Sequence, residues 1–214
     1  MDLNYKIFAL VCLLAYSLGS VATAVWAGKM FHGIDIRQHG SGNAGATNTI
    51  RVFGWATGIP VLVIDIAKGW LAASLPVILK LAPPGSAELM NMQIITGMIA
   101  ILGHVFPVFA GFKGGKGVAS TFGVLLALQP TVTLLCMAVF LVILLVTGYV
   151  SLASISAGIA FPLISLLFVG SPSIVFTIFA ILVALALILT HRKNINRLLK
   201  GEENRFLWKK RNPG

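Results

Sequence analysis

The sequence predicts an all-α polytopic membrane protein with seven transmembrane helices, an N-terminus outside and a cytoplasmic C-terminus. Hydrophobic residues make up 57% of the 214 residues and charged residues only 10%, whereas soluble domains carry about 25% charged residues. The apolar residues form long runs separated by short polar clusters, which is typical of bilayer spans. We therefore expect one transmembrane domain over residues 1–214, with a basic cytoplasmic tail over residues 191–214.

Six apolar runs are long enough to cross a bilayer as helices, because a span needs roughly 20 residues. They cover residues 6–27, 57–82, 90–110, 131–148, 153–170 and 173–190. The first run has no strongly basic segment before it, so we interpret it as a retained helix and not as a signal peptide. A seventh run, 118–129, would form a helix only about 18 Å long, against a hydrocarbon core of roughly 30 Å.

The distribution of Lys and Arg predicts the orientation, since short cytoplasmic segments are enriched in both. Eight of the sixteen Lys and Arg residues fall in the last 23 positions, which places the tail inside. The polar segments 28–53 and 111–117 are also basic and should lie on the same side. An even number of crossings must then separate Lys116 from the tail. Residues 118–129 must therefore cross as the fourth of seven helices.

Composition also excludes several classes of function. The net charge of +10 could indicate nucleic-acid binding, but half of the basic residues follow the last apolar run, where a membrane surface explains them. Cys12 and Cys136 both lie inside apolar runs, so neither a disulfide framework nor a CxxC motif is available. No His or carboxylate cluster has the spacing of metal ligands. We expect no nucleic acid, metal or cofactor.

Two ionisable residues, Asp65 and Lys68, fall inside the second span. Their i, i+3 spacing places them on one helix face, where they can pair. Charged residues in a bilayer are costly and usually face protein or water. A structural ion pair and a functional pair are both compatible with the sequence.

The first polar cluster reads GSGNAGATN from Gly40 to Asn48 and is followed by Arg51. Small residues let backbone N–H groups approach an anion, and Ser, Asn and Thr side chains add donors, which predicts a phosphate nest. The cluster is not a P-loop, because no GK[ST] follows. A tight turn with small-residue helix packing is the alternative interpretation.

The second cluster reads GHVFPVFAGFKGGKG from Gly103 to Gly117, at the inner end of the third span. Lys113 and Lys116 flank two glycines, and the helix that starts near Gly117 points its positive dipole end toward them. This pattern predicts phosphate binding, and a basic turn that follows the positive-inside rule is the alternative. We place His104 about three turns above the loop, where a packing role is favoured.

The third cluster reads HRKNINRLLKGEE from His191 to Glu203. On a continuing helix His191, Asn194 and Arg197 share one face that could look into a site, while the remainder resembles an interfacial amphipathic segment. Ser151 and Ser154 lie at the predicted inner end of the fifth span. Their hydroxyls could reach the same pocket, although such serines more often bond to their own helix.

A transporter or channel for a phosphorylated metabolite is the rival class, because basic residues facing a membrane cavity can select an anion. Such a protein should carry polar residues through the membrane and often two repeated halves. The last three spans are almost uninterruptedly apolar, and no repeat is visible. A lipid-binding scaffold would leave the three clusters unexplained.

The three clusters together resemble the signatures of bacterial acyl-phosphate:glycerol-3-phosphate acyltransferases. The similarity lies in the segments GSGNAGATN, GHVFPVFAGFKGGKGVAS and HRKNINRLLKGEE, and it extends over essentially the whole chain. Ser120 is a small departure, because the family pattern has Thr after GKGVA. The resemblance implies a seven-span inner-membrane enzyme with its active site at the cytoplasmic face.

The implied reaction transfers a fatty acyl group from acyl phosphate to the 1-hydroxyl of sn-glycerol 3-phosphate. The products are 1-acyl-sn-glycerol 3-phosphate and inorganic phosphate, in the first acylation of phospholipid synthesis. The chain lacks the HxxxxD pair of acyl-CoA-dependent glycerolipid acyltransferases. The implied partners are acyl phosphate, glycerol 3-phosphate, membrane lipid and the soluble enzyme that makes acyl phosphate.

We assign the roles of individual residues as follows from the resemblance and the chemistry. Lys116, Arg51 and the glycine amides hold the two phosphates and stabilise developing oxyanion charge. The attacking hydroxyl passes its proton to a substrate phosphate oxygen or to His191. The expected catalytic residues are Lys116, His191 and Asn43. The expected substrate-binding residues are Ser41, Gly42, Gly45, Thr47, Asn48, Arg51, Lys113, Gly114, Gly115, Gly117, Asn194 and Ser154.

Overall fold

The computed structural model describes residues 3–168 and 173–206, with side chains from residue 6 onward. Over these residues the secondary structure is helical, without strands. The α-helices are α1 Leu3–Gly19, α2 Thr23–His32, α3 Ala46–Phe53, α4 Trp55–Ile78, α5 Ala87–Val105, α6 Val118–Leu128, α7 Pro130–Thr147, α8 Val150–Phe168, α9 Ile174–Thr190 and α10 Arg192–Leu199. The chain divides into two compact units, Met1–Pro130 and Thr131–Gly214. The single domain expected over residues 1–214 stays a prediction.

The first unit is built on close packing of α4 against α6 and of α1 against α5. Glycines allow these helices to approach each other. A Cβ at Gly19 would overlap the Ala100 carbonyl, and a Cβ at Gly69 would overlap the Ser120 carbonyl. In a bilayer the hydrophobic effect does not drive apolar helices together, because lipid is equally apolar. Close backbone contact of this kind is therefore a main source of helix association.

The second unit contains α7 to α10, with α8 packed against α9. Three aromatic rings, Phe161, Phe176 and Phe179, lie in mutual contact between α8 and α9, with centroid separations of 6.0 to 6.4 Å. Edge-to-face and tilted pairs of this kind are favourable geometries for aromatic rings. The short helix α10 packs against both α8 and α9.

The structure confirms several membrane-spanning helices and corrects one. Four described helices are long and apolar enough to cross a membrane, or up to six if two bent pairs each count as one span. The run 6–27, predicted as one helix, breaks after Gly19, and α2 is inclined by 43° to α1. Helix α6 has 11 residues. The count of seven spans and the orientation therefore stay predictions.

A charged side chain binds the backbone at the break between α1 and α2. The Lys68 ammonium of α4 donates to the Val21 carbonyl at 2.7 Å, so a carbonyl released by the break is satisfied by a charged donor. Hydropathy alone could not reveal this break, because residues 19–23 are small and uncharged and lie between apolar residues. Of the tail predicted over 191–214, residues 192–199 form α10, and residues 207–214 lie outside the described residues.

Candidate functional site

Asn48 organises the first polar loop, which connects α2 to α3. Its side chain is 1% exposed. Its Oδ1 accepts from the Ser41 amide at 2.8 Å, and its Nδ2 donates to the carbonyls of Ile36, His39 and Asn43 at 3.3, 3.0 and 3.1 Å. Asn48 was predicted to bind substrate, but these contacts engage both ends of its amide. We therefore assign it the role of holding the loop.

The glycines of the same loop permit its tight path. Gly40 and Gly42 have left-handed φ angles of 61° and 74°, a region that favours glycine. A Cβ at Gly40 would also overlap Asn48 Oδ1. A Cβ at Gly45 would lie 2.9 Å from the side-chain nitrogen of Asn43. The loop is therefore too closely packed to accept larger residues at these positions.

The stretch that enters α3 presents backbone donors. Within the described part of the chain, the N–H groups of residues 43–47 make no hydrogen bond to protein. Helix α3 begins at Ala46, and the first N–H groups of a helix, together with its dipole, favour an anion. Ser41, Asn43 and Thr47 are half-buried around this stretch. These N–H groups are the part of the predicted nest that is not bonded to the described part of the protein.

The second polar loop folds back onto the end of α5. The chain reverses after Val108–Ala110 through left-handed residues Gly111 and Phe112, with φ angles of 66° and 58°. Gly114 N–H then donates to the Val105 carbonyl at 3.1 Å, and Gly115 N–H donates to the His104 carbonyl at 3.2 Å. The loop thus caps carbonyls that the end of a helix leaves without partners.

This path corrects two predictions. His104 does not lie three turns above the loop but beside it, because the chain reverses at once and returns along the helix end. Gly114 and Gly115 were expected to hold phosphate through their amides, but both N–H groups are bonded to α5. Both positions also have a steric requirement. A Cβ at Gly114 would overlap the His104 carbonyl and lie 2.7 Å from Pro107.

The two polar loops meet in the first unit. A Cβ at Gly115 would lie 2.7 Å from the Ala44 carbonyl and would overlap the His104 ring. Two residues later, Gly117 adopts a left-handed φ of 82° and caps the N-terminus of α6. Ala44 lies just before Gly45, the N-cap residue of α3. The contact between the loops therefore places the N-termini of α3 and α6 near each other.

The basic side chains predicted to bind phosphate are distributed around these loops. Lys113 is exposed, and Lys116 and Arg51 are half-buried. Lys116 stands between Gly115, which packs on Ala44, and Gly117, which caps α6. The combination of helix N-termini with lysine is the usual chemistry of a phosphate site.

Arg37 links the two loops, and the sequence reading missed this role by counting Arg37 only toward orientation. Its guanidinium binds Asp35, with Nη2 2.6 Å from Oδ2 and Nε 2.9 Å from Oδ1. Its Nη1 donates across to the carbonyls of Ala110 and Lys113 at 2.7 and 3.2 Å. The only signal in the sequence was the Asp-x-Arg spacing. The fork geometry of arginine makes this double contact possible.

The Asp35 carboxylate should make stability depend on pH. The hydrogen bond from Arg37 lowers the pKa of Asp35 from 3.8 to about 2. Its stabilising contribution is therefore complete above pH 3.8 and is lost as the pH falls toward about 2. We expect the melting temperature of the wild type to fall across this window more steeply than that of Asp35→Asn. The melting temperatures of both proteins in detergent are measured from pH 5 to pH 2, in steps on the order of 0.5 pH. Equal losses of melting temperature in the two proteins would contradict this assignment.

The predicted pair in α4 is confirmed. Lys68 Nζ lies 2.8 Å from Asp65 Oδ1, and both side chains are buried. The Thr23 hydroxyl donates to the same carboxylate oxygen at 3.0 Å. A buried charge pair needs such additional hydrogen bonds to offset desolvation.

In the second unit Glu203 accepts hydrogen bonds from three side chains, a role that was not predicted from the sequence. Glu203 accepts from Ser151 Oγ at 2.8 Å, from Asn194 Nδ2 at 2.6 Å and from Arg197 Nε at 2.8 Å. Desolvation raises the pKa of Glu203, but the hydrogen bonds from Asn194, Ser151 and Arg197 outweigh it and leave the pKa below its usual value. The spacing to Asn194 and Arg197 was visible in the sequence, but its meaning depends on how the chain turns after α10.

The structure modifies the predictions for the other residues of this unit. The helix does not continue through His191, because α10 is bent by 60° from α9 at that residue. His191 Nδ1 lies 2.8 Å from the Leu187 carbonyl, and the ring is buried. Ser154 donates to the Val150 carbonyl of its own helix at 2.8 Å, the alternative given for it above.

Replacing Glu203 by Gln should destabilise the second unit. The substitution removes the charge and turns one acceptor toward Arg197 into a donor, so we expect the free energy of unfolding to fall by about 2 kcal/mol. Glu202→Gln is the matched control, because Glu202 is exposed next to it. Thermal unfolding of both variants at pH 7 checks this. Equal melting temperatures for the two variants would exclude the structural role of Glu203.

Fold and site together define an integral membrane protein with a glycine-rich, basic loop site suited to an anion. The sequence matches the glycerol-3-phosphate acyltransferase family model over residues 9–201. It is 43% identical to a glycerol-3-phosphate acyltransferase of Chlorobium luteolum, covering 94% of this chain and 97% of that one. It is 44% identical to the enzyme of the same name from Chlorobaculum tepidum, covering 96% and 99%.

The crystal structure of PlsY, an integral membrane glycerol 3-phosphate acyltransferase, is also similar. Its glycerol 3-phosphate form is 39% identical with a TM-score of 0.81, covering 93% of this chain and 95% of that one. Its lysophosphatidic acid form is 40% identical with a TM-score of 0.79, covering 92% and 94%. The chain belongs to the glycerol-3-phosphate acyltransferase family and is a membrane acyltransferase.

Proposed function

We propose that the enzyme transfers a fatty acyl group from acyl phosphate to the 1-hydroxyl of sn-glycerol 3-phosphate. The products are 1-acyl-sn-glycerol 3-phosphate and inorganic phosphate. The observation that supports this most is the contact of Gly115 with Ala44, which brings the N-termini of α3 and α6 together beside Lys116. Both substrates carry phosphate, and two helix ends with basic side chains supply suitable donors.

The ligands of the similar crystal structure favour the same assignment. The two forms of PlsY are named for glycerol 3-phosphate and lysophosphatidic acid. The first is the proposed acceptor, and the second is the class of the proposed product. By contrast, a transporter for a phosphorylated metabolite is not favoured by any feature of the described residues.

The proposed reaction needs no covalent enzyme intermediate, because acyl phosphate is already an activated mixed anhydride. The hydroxyl oxygen attacks the acyl carbonyl carbon, a C–O ester bond forms, and the C–O bond to phosphate breaks. Phosphate leaves with the bonding electron pair and takes up the hydroxyl proton. Lys116, Arg51 and the free N–H groups of residues 43–47 are proposed to hold the phosphates and the developing negative charge.

The remaining sequence-based roles are also proposals. Ser41, Asn43 and Thr47 would add donors at the entry to α3, with Gly42 and Gly45 allowing close approach. In the second unit His191 is the alternative proton acceptor, and Asn194 and Ser154 would orient substrate. Since the Asn194 amide and Arg197 both bind Glu203, any substrate contact of Asn194 must be compatible with that bond.

The membrane arrangement we propose has seven spans, an outside N-terminus and an active site at the cytoplasmic face of the inner membrane. Helix α6, with 11 residues, would be about 16 Å long and would require a thinned or water-accessible region. A site at that face would receive glycerol 3-phosphate from the cytoplasm. It would also receive acyl phosphate from the soluble enzyme that makes acyl phosphate.

The choice of acyl donor can be tested directly. The purified protein in lipid nanodiscs is given sn-glycerol 3-phosphate with either palmitoyl phosphate or palmitoyl-CoA, and the acylated products are identified by mass spectrometry. We expect 1-palmitoyl-glycerol 3-phosphate from palmitoyl phosphate only. Equal or faster acylation from palmitoyl-CoA would contradict the proposed donor, and acylation at the 2-hydroxyl would contradict the proposed product.

A further inference from the structure

A buried polar cluster lies behind the second loop, inside the first unit. It contains Asp65 and Lys68 of α4, His104 of α5 and Ser120 of α6, each no more than 7% exposed. His104 Nδ1 lies 3.1 Å from Ser120 Oγ and 3.7 Å from Asp65 Oδ1. Polar side chains at membrane depth that are fully engaged in this way usually have a function.

The hydrogen bonds determine which nitrogen of His104 carries the proton. The Ser120 hydroxyl has one hydrogen, and it donates that hydrogen to the Asp65 backbone carbonyl at 3.0 Å. Ser120 Oγ can therefore only accept from His104. Nδ1 is then the donor, the neighbouring Asp65 carboxylate favours the same arrangement, and Nε2 is left as the acceptor of a neutral ring.

The opposite edge of the same ring faces the second loop. A Cβ at Gly115 would overlap His104 Nε2 on one side and would lie 2.7 Å from the Ala44 carbonyl on the other. The backbone of His104 also accepts from Gly115 N–H at 3.2 Å. Gly115 is thus enclosed between the His104 ring, the His104 carbonyl and the first loop.

We propose that His104 is a positioning residue for glycerol 3-phosphate binding. Its ring, fixed by Ser120 and Asp65, sets the place of Gly115 against Ala44. It thereby sets the separation of the N-termini of α3 and α6. This inference rests on the proposed function, in which these helix ends hold phosphate. It assigns a role in binding to a histidine that sequence reasoning treated as a packing residue.

Two substitutions distinguish the contributions of the two edges of the His104 ring. In His104→Asn the amide nitrogen can replace the Nδ1 donor toward Ser120, but the edge that supports Gly115 is removed. In His104→Gln the longer side chain can restore that edge and loses the Nδ1 position. His32→Asn is the control, since His32 is exposed and bonds to Thr57.

We expect His104→Asn to raise the KM for glycerol 3-phosphate about tenfold while kcat stays within about threefold. His104→Gln keeps the edge toward Gly115 but loses the bond to Ser120, so it should raise the KM less, by about threefold to fivefold. An unchanged KM in His104→Asn, or equal losses of kcat and melting temperature in both variants with an unchanged KM, would overturn the proposal.

A second variant keeps the test decisive if His104→Asn does not fold. Ser120→Ala leaves the ring in place and removes the acceptor that fixes it, so the KM for glycerol 3-phosphate should rise about threefold to fivefold. An unchanged KM in Ser120→Ala would overturn the proposal. Failure of the proposed function is a different result, because the wild type itself would then show no turnover of palmitoyl phosphate.

Discussion

Replacing Lys116 by Ala should reduce turnover with palmitoyl phosphate by at least about a hundredfold, the effect of removing a charged group from a preorganised anion site. Lys116 is half-buried and stands between Gly115 and the N-cap of α6. In the proposed mechanism its ammonium compensates phosphate charge as negative charge develops on the carbonyl oxygen and the leaving group.

The measurement is the initial rate of phosphate release by the purified variant in nanodiscs. Lys6→Ala is the matched control, because Lys6 is an exposed lysine at the start of α1 and should leave the rate unchanged. The melting temperature of Lys116→Ala is measured alongside, so that a loss of rate can be separated from a loss of folding. A Lys116→Ala protein that kept more than about a third of the wild-type rate would contradict the phosphate-binding role.

Replacing Asn48 should have the largest effect on stability. Its amide bonds to one N–H group and three carbonyls of the first loop. Asn48→Ala removes all four hydrogen bonds and leaves the Ser41 N–H and the Asn43 carbonyl without their partner, which should cost about 3 kcal/mol of unfolding free energy. Asn48→Asp has the same shape but turns the Nδ2 donor into an acceptor that faces three carbonyls. We expect it to be at least as destabilising.

Thermal unfolding combined with KM measurements separates this role from direct substrate binding. If Asn48 holds the loop, both variants lose melting temperature and activity together. If Asn48 instead binds substrate, as the sequence pattern predicts, Asn48→Ala would raise a KM at an unchanged melting temperature. That second outcome would contradict the structural assignment.

Features that follow from local periodicity could be predicted from the sequence. The apolar runs correspond to α-helices, with the exception of the first, and Asp65 and Lys68 pair at the i, i+3 spacing. Helical periodicity is local, so one sequence contains the required information. The break in the first run could not be predicted because residues 19–23 are small and uncharged and include neither Pro nor a charge, while the stabilising donor, Lys68, is 47 positions away from Val21.

The loops could be located but not interpreted in detail. Sequence reasoning placed phosphate chemistry on Gly114 and Gly115, whereas their amides are bonded to the end of α5. The role of Arg37 was missed because its partners are distant in the sequence. The Arg37 contacts to Ala110 and Lys113 span more than 70 positions, and such contacts are set by tertiary packing, which residue spacing does not encode.

The most direct test of the account measures phosphate release from palmitoyl phosphate with and without sn-glycerol 3-phosphate. The wild-type enzyme in nanodiscs should release phosphate only when the acceptor is present, and each phosphate should be matched by one molecule of 1-palmitoyl-glycerol 3-phosphate. Phosphate release at the same rate without glycerol 3-phosphate, or the absence of acylated product, would contradict acyl transfer from acyl phosphate as the function of this site.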